Sequence, residues 1–371
     1  MQDFPKVGRR RQAIRITSSS LAVRGVFIAA RRGWRVLLLA GLVAAALAMP
    51  KTPSATNTDA NGGSNGSNGK LSGISAPYTS LATTATPAGT PTPAPTPCCI
   101  RPLVAPTAPP VDHLGRGPTR KPGTPDPNPS TWHVIVVDGD SGAVLFNRNG
   151  YDPIAPASLT KIMTAILGIE HGNPKEHVKV NVSAKDFQDS TLMGLEPWFD
   201  VTLEDLLYGL MLPSGNDAAV AIARYVAGSE GVFVQLMNQK AAELGLKSTH
   251  FANPHGLDMP DHYSSPYDMV TMARYAMQYP LFRELAAAKS YTISESNIAY
   301  TIENLNPVLW AYPGADGVKI GFTDNSGKSI VASATRNGHR VYVAFMRSEA
   351  GLVPDTVALF DWAFSSFEWT Q

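Results

Sequence analysis

Ser158 and Lys161 in PASLTKIMT stand three apart at the start of an apolar-striped stretch, so on a helix they share a face. A serine hydroxyl is a poor nucleophile until a base takes its proton. An amine one turn away can be that base once burial or a neighbouring positive charge lowers its pKa, and a helix N-terminus favours the negative charge that develops. The same residues also describe an N-cap serine and a solvated lysine. A second candidate is LMLPSGNDAAVAIA, where Ser214 and Asn216 straddle a glycine; taken alone it reads equally as a capped inter-helix turn. The third is DGVKIGFT, Asp316 to Thr323, which puts Lys319 and Gly321 inside a stretch that otherwise reads as a buried strand. Lys319 is there either a strand-edge charge or a fixed cation facing an anionic substrate. Gly321 would let another backbone approach the strand closely.

The elements that must hold these residues follow from pattern. TWHVIVVDGDSGAVLFNRNG gives two apolar strands around a DGDSG turn. Ser158 to about Glu170 carries Ile162, Ala165, Ile166 and Ile169 on one stripe, with Gly172 as a stop. Further helices are predicted from Thr202, where Asp205 completes a capping-box-like pair, and over 216–226, 229–244 and 266–277. GVKIGFT, KSIVASAT and RVYVAFM return to strands, the last two joined by Asn337-Gly338, a type I′ turn signal, and a last helix covers 354–364. Strands at both ends with helices between predict an α+β fold, an antiparallel sheet built from both termini and flanked by a helical subdomain.

Composition bounds the rest. With hydrophobic residues at 44% and a formal net charge of +1, the 371-residue chain can bury a full core and lacks the basic field that duplex nucleic acid would need, so no nucleic-acid partner is expected. Its clustered charges lie at the front, where Arg9, Arg10, Arg11, Arg15, Arg24, Arg31, Arg32 and Arg35 precede VLLLAGLVAAALAM, Val36 to Met49. That run is shorter than the roughly 20 residues of a spanning helix, and the ALA that ends at Ala48 offers a small-residue cleavage site, so 1–49 reads as a signal peptide or a retained signal-anchor. Either way the remainder is exported, secreted or tethered to the membrane. Residues 50–130, rich in Thr, Pro, Gly and Ser, read as a disordered linker, leaving 131–371 as the catalytic domain. Cys98 and Cys99, adjacent in that linker, are too close for an unstrained mutual bridge and either pair between chains or stay free.

Ser-x-x-Lys, then Ser-x-Asn, then Lys-x-Gly, in that chain order, resembles the penicillin-recognising serine enzymes. PASLTKIMTA, TLEDLLYGLMLPSGNDAA, LGLKSTHFANPHGLD, HYSSPYDM and YPGADGVKIGFTDNSGKSIVASA narrow the resemblance to the low-molecular-weight penicillin-binding D-alanyl-D-alanine carboxypeptidases, over about 131–349. The resemblance implies a transpeptidase/β-lactamase-like fold, a peptidoglycan stem-peptide substrate, β-lactams as covalent inhibitors, and no metal or organic cofactor. It implies Ser158 as nucleophile, Lys161 as its base and Ser214 as proton relay. Asn216, Lys319, Gly321, Phe322, Thr323 and Arg340 would bind substrate, with the backbone N–H groups of Ser158 and Phe322 as oxyanion hole.

One departure stands out. Relatives carry a hydroxyl residue between the lysine and glycine of the third motif, to donate to the substrate carboxylate, and Ile320 has none; Thr323 or Arg340 are candidates to replace it. Ile320 keeps open a protein that binds penicillin or stem peptides with little turnover, besides a β-lactamase or D,D-endopeptidase using the same serine. His255, Asp258 and His262 could be read as zinc ligands but lack a helical His-Glu-x-x-His, and the histidine of NPHGL is expected to fix backbone. Asn304 and Asn306 read as site-supporting; Trp198, Trp310 and Trp362 as core or groove residues; Met269, Met272 and Met277 as packing. The tail FDWAFSSFEWTQ is expected to close the domain rather than to touch a membrane.

Overall fold

A computed structural model describes residues 100–104, 117–187, 190–295 and 298–369. The basic N-terminal run, most of the linker and both cysteines lie outside the described residues. Strands β1 (Thr119–Arg120), β2 (His133–Asp138) and β3 (Val144–Arg148) lead through a 3₁₀ turn, Ala157–Thr160, into helix α1 (Lys161–His171). A ribbon of β4 (His177–Lys179) and β5 (Asp200–Thr202) precedes α2 (Leu203–Met211), α3 (Asn216–Ala227) and α4 (Glu230–Glu243). Next come α5 (Pro266–Ala276), α6 (Pro280–Ala287), the hairpin β6 (Ser290–Glu295) and β7 (Ile298–Glu303), and the short α7 (Val308–Ala311). The chain closes with β8 (Ala315–Gly321), β9 (Lys328–Arg336), β10 (His339–Ser348), α8 (Leu352–Ser366) and β11 (Phe367–Glu368).

Five strands form one sheet in the order β3-β2-β10-β9-β8, every neighbouring pair antiparallel, so both ends of the folded chain build it as expected. Strand alternation sorts its side chains into two cores. Val134, Val136, Ile330, Val343 and Phe345 pack with Leu359, Phe360 and Ala363 of α8. Ile135, Val137, Val331, Ala344 and Met346 join the larger core that holds Ile162 and Ile166 of α1 and Met269 and Met272 of α5. The β9–β10 turn has Asn337 at φ 53 and Gly338 at φ 85, the two positive values that type I′ requires.

Local signals place the helix starts. Thr202 and Asp205 form a reciprocal capping box, and Ser229 and Ser265 each accept an N–H from the first turn of the helix that follows. The sequence did not foreshadow β6, β7 or α6. In the hairpin only Ile293 and Ile302 are buried, too few to impose an alternation.

Residues ahead of the boundary expected at 131 also join the fold. Arg101 N–H donates to the Val226 carbonyl at 2.8 Å and Val104 N–H to the Glu170 carbonyl at 2.7 Å. The Arg101 guanidinium pairs with Glu176 at 2.8 Å and lies 3.8 Å over the Tyr225 ring. Strand β1 pairs with β11. These attachments are scattered backbone bonds, a two-residue strand, Arg101 and the partly buried Ile100, without apolar periodicity, so composition alone reads them as linker. The tail closes the domain: Phe367 is buried and Trp369 packs against it. Among the described residues no helix is long and apolar enough to cross a membrane.

Candidate active site

The turn Ala157–Thr160 lifts Ser158 to the floor of a cavity of about 1000 Å³ and leaves Lys161 fully buried behind it. Lys161 Nζ lies 2.9 Å from Ser158 Oγ, 2.6 Å from Asn216 Oδ1 and 2.6 Å from the carbonyl oxygen of His255. The two shorter partners are carbonyl oxygens, which can only accept. A neutral amine has two N–H bonds for them, and its lone pair then faces the Ser158 hydroxyl, the arrangement a proton acceptor needs. Burial, and next the Lys319 charge, hold the Lys161 pKa well below its ordinary value, with Asp217 pulling the other way.

Gly256 brings the His255 carbonyl to that position. It has φ +97, and a Cβ on it would sit 1.9 Å from the Ala157 carbonyl oxygen, so only glycine fits beneath the Ala157–Thr160 turn. The His255 ring is half-buried and held down to about 3, by desolvation first and then by Lys161, so it is neutral near pH 7. The His255 ring holds backbone: its Nδ1 accepts the Leu257 N–H at 3.2 Å. His262 Nδ1 accepts the Ala252 N–H at 2.8 Å, which leaves Nε2–H to donate to Thr160 Oγ1 at 2.9 Å, and Asp258 accepts from Thr323 Oγ1 at 2.8 Å.

Ser214 sits at φ +63, an uncommon conformation for a serine, and its Oγ is buried and has no hydrogen-bond partner among the described residues, while the residue lines the cavity. Thr191 pins this turn: its Oγ1 donates to the Ser214 carbonyl at 2.7 Å, and its own carbonyl accepts the Asn216 N–H at 2.9 Å. The loop bearing Ser190 and Thr191 is held by Asp217, fully buried, whose carboxylate accepts N–H groups from Met193, Gly194 and Leu195, each at 2.8 Å. Asp217 was absent from the sequence reading, since its partners lie more than twenty residues away and no local pattern marks them. Asp217→Asn would turn an NH₂ group toward N–H donors; we expect a loss of about 3 kcal/mol in denaturant unfolding, two buried donors being left unpaired.

β8 forms the cavity's other wall. Lys319 and Ile320 leave this edge strand on opposite faces, as their pairing with Val331 and Ile330 requires. Lys319 is buried, donates to the Ile320 carbonyl at 3.2 Å, and is lowered to about 7 by desolvation. It is not a strand-edge charge. Gly321 abuts the Ala157–Thr160 turn: a Cβ there would lie 3.1 Å from the Ser158 nitrogen. Ile320, Gly321, Phe322 and Thr323 all line the cavity.

Two expected carboxylate partners are not free for that task. Arg340 is paired across β9 with Thr335, at the end of the sheet away from Gly321, and its guanidinium bonds Asp316. It does not line the cavity, because the β9–β10 turn carries the head of β10 to the opposite end of the sheet. The Thr323 hydroxyl donates to Asp258. Asn304 and Asn306 brace a turn beside the cavity, Asn304 Oδ1 accepting the Asn306 N–H and Asn306 Oδ1 that of Val308. Trp198 and Trp310 are exposed, against expectation, whereas Trp362 packs on Phe146 and Phe367, and Met269, Met272 and Met277 are buried.

A family model described as D-alanyl-D-alanine carboxypeptidase, peptidase S11, matches residues 122–350. The chain is 36% identical over 245 residues to D-alanyl-D-alanine carboxypeptidase DacF of Bacillus subtilis, covering 63% of this chain and 62% of that one. To DacB2 of Mycobacterium tuberculosis it is 37% identical over 251 residues, covering 65% and 84%. Against the Bacillus relative the match thus spans less than two thirds of the relative's length. The solved D-alanyl-D-alanine carboxypeptidase of Mycobacterium tuberculosis superposes with a TM-score of 0.62 at 34% identity, over 68% of this chain and 99% of that one. A mutant of the Streptomyces K15 DD-transpeptidase gives 0.60 at 30% identity, over 65% and 100%. The fold, the order of the three motifs and a family match running from Lys121's neighbour Pro122 to Ala350 agree, and the chain belongs to the peptidase S11, D-alanyl-D-alanine carboxypeptidase family.

Proposed function

We propose that residues from about 117 onward act as a serine D-alanyl-D-alanine carboxypeptidase on peptidoglycan stem peptides, exported behind a basic and apolar N-terminal segment and a Pro- and Gly-rich tether. The observation that carries this reading is the fully buried Lys161 amine, 2.9 Å from Ser158 Oγ and 2.6 Å from each of two carbonyl oxygens, Asn216 Oδ1 and that of His255, which can take its N–H bonds and leave a neutral amine's lone pair to Ser158. Ser158 Oγ attacks the penultimate D-Ala carbonyl while its proton passes to Lys161. The N–H groups of Ser158 and Phe322 take up the oxyanion. The tetrahedral intermediate collapses as the proton passes, through Ser214, to the departing D-alanine nitrogen. Water then adds to the acyl-serine, returns a proton through the same lysine and frees the shortened peptide. Lys319 keeps the site electropositive, and β-lactams acylate the same serine.

Ile320 favours a second reading. An isoleucine where a donor would meet the substrate carboxylate suits a protein that binds stem peptides and turns them over poorly. Both are tested by D-alanine release from a peptide ending D-Ala-D-Ala, with the native chain and Ile320→Thr side by side. Release by the native chain, rising about tenfold with threonine, is the expected result, one hydrogen bond to a charged group being worth roughly 1.5–3 kcal/mol. Binding without release by the native chain would favour the second reading, and absence of both would overturn the first.

A further inference from the structure

The cavity runs past the nucleophile, over the edge of β8, and onto the sheet face that carries α8. Ser158, Ser214 and Asn216 line it together with Ile320, Lys328, Leu352, Val353 and Pro354. Lys328 shares a face with Ile320, because Ile320 pairs with Ile330 and Lys328 lies two residues before it on β9. Lys328 is exposed and, among the described residues, makes no ion pair and no side-chain hydrogen bond. The cavity's charged lining is otherwise acidic: Asp258, engaged by Thr323 and the Asn325 N–H, and Asp324, exposed on the loop between β8 and β9.

Resting on the carboxypeptidase reading, we propose that Lys328 is the residue that binds the terminal carboxylate of the peptide. A peptide cut one residue from its end places that carboxylate a few ångströms beyond the scissile carbonyl, in the cavity that Ser158 and Lys328 both line. Lys319 is turned to the opposite face of β8 and Arg340 is held by Asp316 at the far end of the sheet. Ile320 supplies no donor. Lys328 is therefore, among the described residues, the one cation that lines the cavity, beside the apolar side chains of Ile320, Leu352 and Val353. Asp324, in the same cavity, opposes it.

The discriminating measurement uses two peptides, one ending D-Ala-D-Ala with a free carboxylate and one with that carboxylate amidated. Calorimetric binding to Ser158→Ala is compared with binding to Ser158→Ala/Lys328→Gln and Ser158→Ala/Lys328→Arg, alongside D-alanine release by the corresponding single variants with Ser158 intact. Lys328→Gln is expected to weaken binding of the free-carboxylate peptide about tenfold, leave the amide unchanged, and raise KM with kcat nearly constant. Lys328→Arg should restore most of it, and Asp324→Asn should tighten it. Equal effects on both peptides, or none on the acid, would overturn the assignment while release by the native chain leaves the enzyme reading intact. No release by the native chain with the acid-specific binding loss preserved would overturn the enzyme reading instead. Failure of the free-carboxylate peptide to bind Ser158→Ala, together with no release by the native chain, would overturn both.

Discussion

Ser158→Ala is expected to yield no covalent adduct with benzylpenicillin and to lower D-alanine release by roughly 10³-fold or more, because without Oγ the path through an acyl intermediate is closed. The substitution should leave the fold in place. Lys161 keeps its two carbonyl partners, Asn216 Oδ1 and the His255 oxygen, and the Ala157–Thr160 turn is held by backbone bonds that the side chain does not make. Intact-mass spectrometry after incubation with penicillin, beside a thermal melt, separates the two effects. An adduct forming on the variant at the native rate would remove Ser158 as nucleophile, whatever the release assay showed.

Lys161→Met should cost about 10²- to 10⁴-fold in the acylation rate, the range a positioned proton acceptor contributes. Its pH signature is more specific than the loss itself. The amine is the acceptor only when unprotonated, so native acylation should fall as pH drops through the lowered Lys161 pKa. Because the Lys319 charge is one of the causes of that lowering, Lys319→Met should move this acid limb to higher pH as well as slow the reaction. A limb that stayed put or moved down would show that Lys319 does not act on Lys161. Stability carries the same sign. A buried lysine whose folded pKa lies below its unfolded one binds fewer protons folded than unfolded between the two, so stability rises with pH across that window and is lost as pH falls to the folded value. For Lys319 the window runs from about 7 up to the ordinary 10.5.

Much of this was legible in the sequence. Thr202 with Asp205, Ser229, Ser265 and Asn337-Gly338 fix helix starts and a hairpin within a few residues of themselves, so local chemistry alone sets them. The apolar alternation of β9 and β10 is long enough to survive inspection, whereas that of β6 and β7 buries too little to show. Ser158, Lys161, Ser214, Asn216 and Lys319 were recognisable because each sits in a short motif and the motifs occur in order, although each motif alone is ordinary.

What the sequence determined by itself, then, was the residue types that do chemistry, the elements that bear them and the two ends of chain that make the sheet. Only the tertiary structure decided which of them meet. Lys161 reaches Asn216 and the His255 carbonyl across 55 and 94 residues. Asp217 holds the Thr191 loop over more than twenty. Arg340, by contrast, is carried to the wrong end of the sheet, and Lys328, which no motif marks, is turned into the cavity by strand pairing alone. Such contacts depend on register and on which sheet face a side chain leaves, and a shift of one residue along a strand would reverse them.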